Sequence, residues 1–198
     1  MYKRQLPDTG VIKQKYTVTQ LPYNNISSDE FCLPYNTQRI LDRISKVVET
    51  EGPVSRELIC KRVLKSFGIA RMGSRLEKYF GELLRKLHFP KTVHHGIIFF
   101  WPMNKLSFSS LAFRVSEDDN ERRSAEDLPP EEVACAISYV LQNQFSMTKS
   151  DLVRETYKVL GYSRAGTAVE QAMLTGIEFA VNKKWITIDK YELASSRI

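Results

Sequence analysis

The residues whose types could support metal binding or catalysis are two adjacent histidines, three cysteines and one run of carboxylates. His94 and His95 lie in a stretch of strand-like composition. Neighbouring side chains of a strand point to opposite faces, so the pair would diverge around a metal ion. A turn or surface position is therefore favoured over a metal site. The run Glu117–Asp119 lies in a polar segment and favours a solvated acidic loop.

The cysteines, and the absence of nucleotide-binding and nucleophile motifs, also argue against a catalytic site. Cys60 falls on an apolar helix face, which is typical of a small core residue. Cys32 and Cys135 have no histidine or aspartate at the spacing of a nucleophilic pair. The sequence has no phosphate loop, dinucleotide fingerprint or nucleophile elbow. It therefore predicts a protein that is not an enzyme, with no catalytic residue, no cofactor and no metal.

The positive charge is concentrated in one segment. The chain has 29 Lys and Arg against 23 Asp and Glu, a net charge of +6. Residues 37–105 hold 14 basic and 6 acidic residues, and residues 131–198 hold 8 of each. A concentrated basic segment attracts polyanions such as nucleic acid. The plainer alternative is a helical surface that lysine and arginine keep solvated.

The basic residues of this segment fall near one face of a predicted helix, opposite an apolar face that begins at Leu76. In a helix-turn-helix protein such a helix enters the major groove of DNA, and a following hairpin contacts the backbone or minor groove. Glu82 interrupts the basic face. The predicted nucleic-acid-binding residues are Arg71, Arg75, Lys78, Arg85 and Lys86 in and before the helix, and Lys91, His94 and His95 on the hairpin.

Arg71 has a counterpart, Arg164, and two interpretations of the pair stay open. Each arginine could reach a phosphate beside the amides of the helix that follows it. Alternatively, each could pair with the glutamate six residues on, Glu77 or Glu170, or with helix-end carbonyls, and so stabilise the fold.

These positions belong to an internal repeat with an offset of 93 residues, which relates residues 37–88 to residues 130–181. The strongest match is Gly-x-x-Arg-x-Gly-x-x-apolar-Glu, at Gly68–Glu77 and again at Gly161–Glu170. Ser55 and Thr148 are predicted N-caps of the second helix of each copy. Gly68 and Gly161 are predicted to end that helix in the left-handed conformation.

Each copy ends in aromatic and β-branched residues around a short turn, which predicts a hairpin. Three helices and a hairpin predict a mainly α chain with small β hairpins, of class α+β, made of two winged-helix-like domains in tandem. The predicted domains are an extended arm at 1–36, a basic domain at 37–115, an acidic linker at 116–130 and a neutral domain at 131–198.

Several of these segments resemble a known family, a domain of unknown function at the C-terminal end of large bacterial superfamily-one helicase-related proteins. The resemblance lies in Glu51–Val54, Arg62 and Gly68–Arg75, and continues through Phe100–Pro102, Phe113-Arg114 and Leu128–Glu132. In such proteins the module follows a helicase core and often a nuclease domain. The resemblance implies an accessory region of a DNA-processing enzyme, and it carries over no catalytic residue.

The residues and the resemblance together predict a non-catalytic nucleic-acid-binding module of a bacterial helicase or nuclease protein. The expected partners are duplex or junction DNA, contacted by the first domain, and helicase or nuclease domains, contacted by the second. The alternative is a protein-interaction or architectural module without affinity for DNA. The longest apolar run, Ile97–Trp101, is too short for a membrane helix, and the N-terminus lacks a signal peptide, so a cytoplasmic location without membrane partners is expected.

Overall fold

The computed structural model describes residues 10–103, 112–142, 144 and 146–197. Seven α-helices and three small sheets in this part of the chain confirm the predicted α+β class. The described residues form two compact units. The first unit is residues 17–103, and the second is residues 10–16 with the described residues from 112 onward.

The elements are short and follow one another with few long connections. In chain order they are β1 (Ile12–Lys15), α1 (Ser28–Phe31), α2 (Thr37–Glu51), β2 (Val54–Ser55), α3 (Arg56–Ser66), α4 (Ser74–Lys86), β3 (Lys91–His94), β4 (Ile97–Phe100), β5 (Ala112–Val115), α5 (Pro130–Gln142), β6 (Met147–Thr148), α6 (Lys149–Val159), α7 (Thr167–Asn182), β7 (Ile186–Ile188) and β8 (Leu193–Ser196). Three 3-10 turns lie at Pro34–Asn36, Asp119–Glu121 and Ala125–Asp127.

The first unit packs α2, α3 and α4 around one apolar core. On α2 the buried apolar residues are Ile40, Ile44, Val47 and Val48, a spacing that places them on one helix face. Phe31 of α1 closes this core with its ring edge against Phe67, 5.1 Å between centroids. The helices therefore bury one face each and leave their polar faces outside.

A three-stranded antiparallel sheet completes the first unit, with the strand order β2-β4-β3. Its short strand β2 pairs Val54 with Phe100, and β3 and β4 form a hairpin. The two turn residues are His95 and Gly96, with φ of 49° and 82°. Two positive φ values are what a tight hairpin turn requires.

The second unit has the same order of elements after residue 130. Its helices are α5, α6 and α7, and its sheet has the order β6-β8-β7. The starts of α5, β6, α6 and α7 each lie 93 residues after those of α2, β2, α3 and α4. The two copies of the sequence repeat therefore fold into helices and strands that begin at equivalent positions.

The local signals at the repeated positions are confirmed. Ser55 Oγ accepts a hydrogen bond from the Leu58 N–H at 3.0 Å, and Thr148 Oγ1 accepts one from the Asp151 N–H at 3.2 Å. Gly68 and Gly161 have φ of 75° and 91°. Left-handed backbone of this kind favours glycine after a helix.

The boundaries of the two units differ from the predicted domains. Strand β1, from the predicted arm, pairs in parallel with β5 in the second unit, whereas residues 17–36 belong to the first unit through the buried Phe31. The predicted acidic linker is exposed at residues 117–120, whereas Ala125 and Leu128 are buried. Composition missed this because a few buried side chains anchor a segment whose other residues are polar. Residues 1–9 lie outside the described residues.

A buried ion-pair cluster holds this segment in the second unit. The Glu132 carboxylate accepts hydrogen bonds from Arg114 Nε at 2.8 Å and Arg123 Nη2 at 2.7 Å. The Arg123 guanidinium also lies over the ring of the fully buried Tyr16, 4.4 Å from its centroid. Burial alone would raise the pKa of Glu132, but the two arginines outweigh it and lower that pKa to about 2.

No helix in the described ranges is long and apolar enough to cross a membrane.

Candidate nucleic-acid interface

Helix α4 presents its basic residues to solvent because its opposite face is apolar. Leu76, Phe80, Leu83 and Leu84 are buried against the core of the first unit. The exposed residues are the predicted Arg75, Lys78, Arg85 and Lys86, with Glu82 among them. The structure therefore places all four predicted helix cations on the accessible side of one helix.

One of these cations has a nearby carboxylate. Arg75 forms an ion pair with Asp29 of α1, and the two side chains are 66% and 86% exposed. Exposed pairs of this kind contribute little to stability because water and salt screen them. Arg75 can thus exchange its carboxylate partner for a phosphate at small cost.

Arg71 and Arg164 are both exposed, just before α4 and α7. Neither pairs with the glutamate six residues on, and neither has a hydrogen bond or ion pair to a described residue. Glu77 instead lies 3.6 Å from Arg56 of α3, nitrogen to oxygen. The ion pair considered from the sequence is therefore wrong for both arginines, and the Arg71 guanidinium remains accessible beside the N-terminus of α4.

The predicted binding residues of the hairpin lie in two places, at its base and at its turn. Lys91 is exposed at the start of β3, opposite Phe100. His94 is half-buried with its ring 6.3 Å from the Phe99 ring, and His95 is exposed in the turn. Three strand residues span about 10 Å, so the histidines lie well beyond Lys91.

Arg85 and Lys91 are brought together in one groove of about 540 Å³ between the end of α4 and the hairpin. Arg56 and His88 complete its basic rim, and neither was predicted from the sequence. The remaining lining residues are Gly81, Leu84, Leu87, Phe89, Ile98 and Phe100. Among the residues that the structure describes, no carboxylate lines this groove. Arg56 escaped notice because it starts a different helix, α3, and only the fold places it beside α4.

The resemblance segments before the interface have a structural role. The fully buried Glu51 carboxylate accepts hydrogen bonds from the Thr19 N–H at 2.9 Å and Arg62 Nε at 3.2 Å. At Gly52 an added Cβ would lie 2.6 Å from Pro102 Cδ. These residues fix the entry to β2 and α3 and do not face the exposed side of α4.

Helix α7 lacks the basic face of α4. Ala168 and Phe179 stand where α4 has Arg75 and Lys86, and its buried residues pack within the second unit. At Gly176 an added Cβ would lie 2.3 Å from Val133 Cγ1 of α5. The buried residues of α7 thus belong to the core of its own unit.

The structure also shows the environment of each cysteine and of the residues whose types could bind a metal ion. Burial raises the pKa of both Cys60 and Cys135 to about 12, and burial also raises the pKa of Cys32. The buried two are therefore protonated at neutral pH and poor nucleophiles. Within the described residues no group of three or more His, Cys, Asp or Glu side chains is arranged to hold a metal ion.

Residues 29–78 match a protein-family model described as "Protein of unknown function (DUF3320)". The match extends from α1 into the first turns of α4 and so includes Arg71, Arg75 and Lys78. Comparison with curated proteins found no match.

Proposed function

We propose that the chain is a non-catalytic, nucleic-acid-binding accessory module built from two winged-helix domains in tandem. In each unit a helix, a short strand, two helices and a hairpin follow in that order, and the short strand pairs with the last hairpin strand. This arrangement supports a winged helix, a helix-turn-helix variant with an added hairpin. The third helix of such a domain is the one that enters the major groove.

The observation that carries the proposal is the exposed basic face of α4. Arg75, Lys78, Arg85 and Lys86 project from it, with Arg71 before the helix and Lys91 after it. The first unit has 13 basic and 8 acidic residues, whereas the second has 13 and 14. Lysine and arginine on one accessible face bind phosphates, and they do so without sequence preference. The first unit therefore contacts the DNA backbone, with His94 and His95 at the tip of its hairpin.

The second unit has the role of docking on protein. Its third helix carries no basic face, and its net charge is close to zero, so it has little attraction for a polyanion. Val181 and Tyr191 are exposed, at 38% and 70%, and offer apolar contact area. The partner we propose is a helicase or nuclease domain of the same or another chain.

The assignment to a bacterial, cytoplasmic DNA-processing protein rests on the family resemblance of Glu51–Val54 and Gly68–Arg75. The first of these segments fixes the entry to α3, and the second leads into α4. A module that resembles this family is therefore expected to hold DNA for a catalytic partner rather than to cleave it. The buried, protonated thiols of Cys60 and Cys135 support a non-catalytic role.

The test is binding of a labelled blunt DNA duplex to the full chain, measured by fluorescence anisotropy. The variant replaces Arg75, Lys78, Arg85 and Lys86 by alanine and is expected to bind more than about tenfold weaker at low salt. The matched control replaces four exposed cations of the second unit, Lys13, Lys183, Lys190 and Arg197, and removes the same charge. Equal weakening in both variants would contradict the assignment of binding to α4. No duplex binding at all by the natural chain would favour a protein-interaction module instead.

A further inference from the structure

The groove between α4 and the hairpin combines an apolar floor with a rim of one charge sign. The rim is formed by Arg56, Arg85, His88 and Lys91, and the floor includes Leu84, Phe89 and Ile98. The side chains of Arg85, His88 and Lys91 make no hydrogen bond or ion pair with a described residue. Arg56 is the rim residue with carboxylate neighbours, Glu57 and Glu77. An accessible apolar surface beside three donors without such neighbours fits a ligand that is flat and apolar in one part and anionic in another.

The groove is specific to the first unit. Gly81, Arg85 and His88 correspond to Leu174, Glu178 and Val181 in the second. Helix α4 ends at Lys86, whereas α7 continues to Asn182, and by the offset of 93 it runs past the position of His88. The early end of α4 and the missing side chain of Gly81 therefore leave room beside the hairpin of the first unit, whereas the second unit has Leu174 and a longer helix at these positions.

We propose that this groove binds one unpaired nucleotide at the end or fork of the DNA that the first unit holds. The base would lie on the half-buried Phe89 and Ile98, and the phosphate would be bound by Arg85, His88 and Lys91. Bases stack on aromatic side chains irrespective of sequence. The volume of about 540 Å³ suits a small ligand, and not a duplex.

A nucleotide is favoured over an acidic peptide because the groove continues the proposed DNA surface. Arg85 belongs to the basic face of α4, and Lys91 begins the hairpin that follows it. A strand that leaves a duplex held on α4 would enter the groove at Arg85, which belongs to both surfaces. The inference thus rests on the proposed function and adds a preference for DNA with an unpaired end.

The first experiment compares a blunt duplex with the same duplex carrying a four-nucleotide thymidine overhang, by anisotropy with the full chain. Stacking of one base predicts that the overhang duplex binds about tenfold tighter. Gly81→Leu, which restores the side chain found at Leu174, is expected to remove this preference and to leave blunt-duplex affinity within about twofold. Equal binding of both duplexes by the natural chain would overturn the inference while the proposed function stands.

Gly81→Ala is the matched control. Its added Cβ lies 4.0 Å from the nearest atom, Arg56 Nη2, so it fits without displacing a neighbour. Both substitutions improve the helix propensity of α4, but only leucine extends into the groove. The alanine variant is expected to keep the overhang preference. Loss of the preference in both variants would assign the effect to α4 itself and contradict the groove.

A second measurement separates the groove from duplex binding altogether. The probe is 5′-phosphorylated tetrathymidylate, which is too short to form a duplex, followed by amide chemical shifts of the full chain. Shifts at Gly81, His88 and Lys91 that Gly81→Leu abolishes would support the groove even if no duplex bound. Absence of these shifts, or their appearance with an acidic phenylalanine-containing peptide and not with the nucleotide, would overturn it.

Discussion

At the scale of single residues, Glu132 is a buried acidic residue whose charge is balanced by two arginines. Its carboxylate is buried between Arg114 and Arg123 and is hydrogen-bonded to both. A buried charge is tolerated only when it is paired, and removal of one partner leaves the others uncompensated. The cluster therefore stabilises the second unit through three residues that must all be present.

Glu132→Gln is expected to lower the free energy of unfolding of the second unit by about 3–5 kcal/mol, because two guanidinium groups lose their anionic partner in a buried site. Urea denaturation followed by tryptophan fluorescence measures this. A Trp101→Phe background leaves Trp185, of the second unit, as the reporter. Glu155→Gln, which removes an exposed carboxylate, is the control and should leave the midpoint nearly unchanged.

The same residue predicts a pH dependence. The pKa of Glu132 is lowered to about 2 in the folded unit, below its ordinary value of 4.5. The carboxylate therefore contributes stability above about pH 4.5, and this contribution is lost as the pH falls towards 2. The unfolding free energy of the natural chain should fall more steeply over that range than that of Glu132→Gln. Parallel pH curves for the two proteins would contradict the buried cluster.

At the scale of the element, the two units use the same starts and caps but pack their third helices differently. Helix α7 approaches α5 closely at Gly176, where α4 has Leu83 in the equivalent repeat position. A glycine at a helix–helix contact permits a backbone approach that a side chain would block. The approach explains why a glycine is retained in the middle of a helix despite its low helix propensity.

Gly176→Ala is expected to destabilise the second unit by about 1–3 kcal/mol, since the added methyl group overpacks the contact with Val133. This outweighs the gain in helix propensity of up to about 1 kcal/mol. Thermal unfolding, with Trp185 as reporter, measures the change. Gly166→Ala at the N-cap of the same helix meets no atom within 4 Å and serves as the control. A stabilised Gly176→Ala variant would show that α5 and α7 pack less closely.

Sequence reasoning succeeded where the determining contacts are local. The caps at Ser55 and Thr148, the left-handed Gly68 and Gly161 and the hairpin after α4 each depend on a few neighbouring residues. It failed where the partner lies far along the chain. Tyr16 meets Arg123 only after folding, and Arg56 reaches the end of α4 from another helix.

At the scale of the whole molecule, the two units share an architecture but differ in charge. Both have the same order of elements, yet the excess of cations lies in the first. The basic residues of α4 were predictable, because helical spacing places them on one face, and their exposure is confirmed. The groove beside them was not predictable, because it depends on where α4 ends.

The central claim, that the exposed face of α4 binds DNA phosphates, is tested most directly by the salt dependence of duplex binding. The logarithm of the association constant should fall with the logarithm of salt concentration with a slope of about −0.9 for each phosphate engaged. Replacing Arg75, Lys78, Arg85 and Lys86 by alanine should make the slope shallower by about 3.6 units if each engages one phosphate, and the matched control on the second unit should leave it unchanged. Identical slopes for the natural chain and the α4 variant would contradict the account.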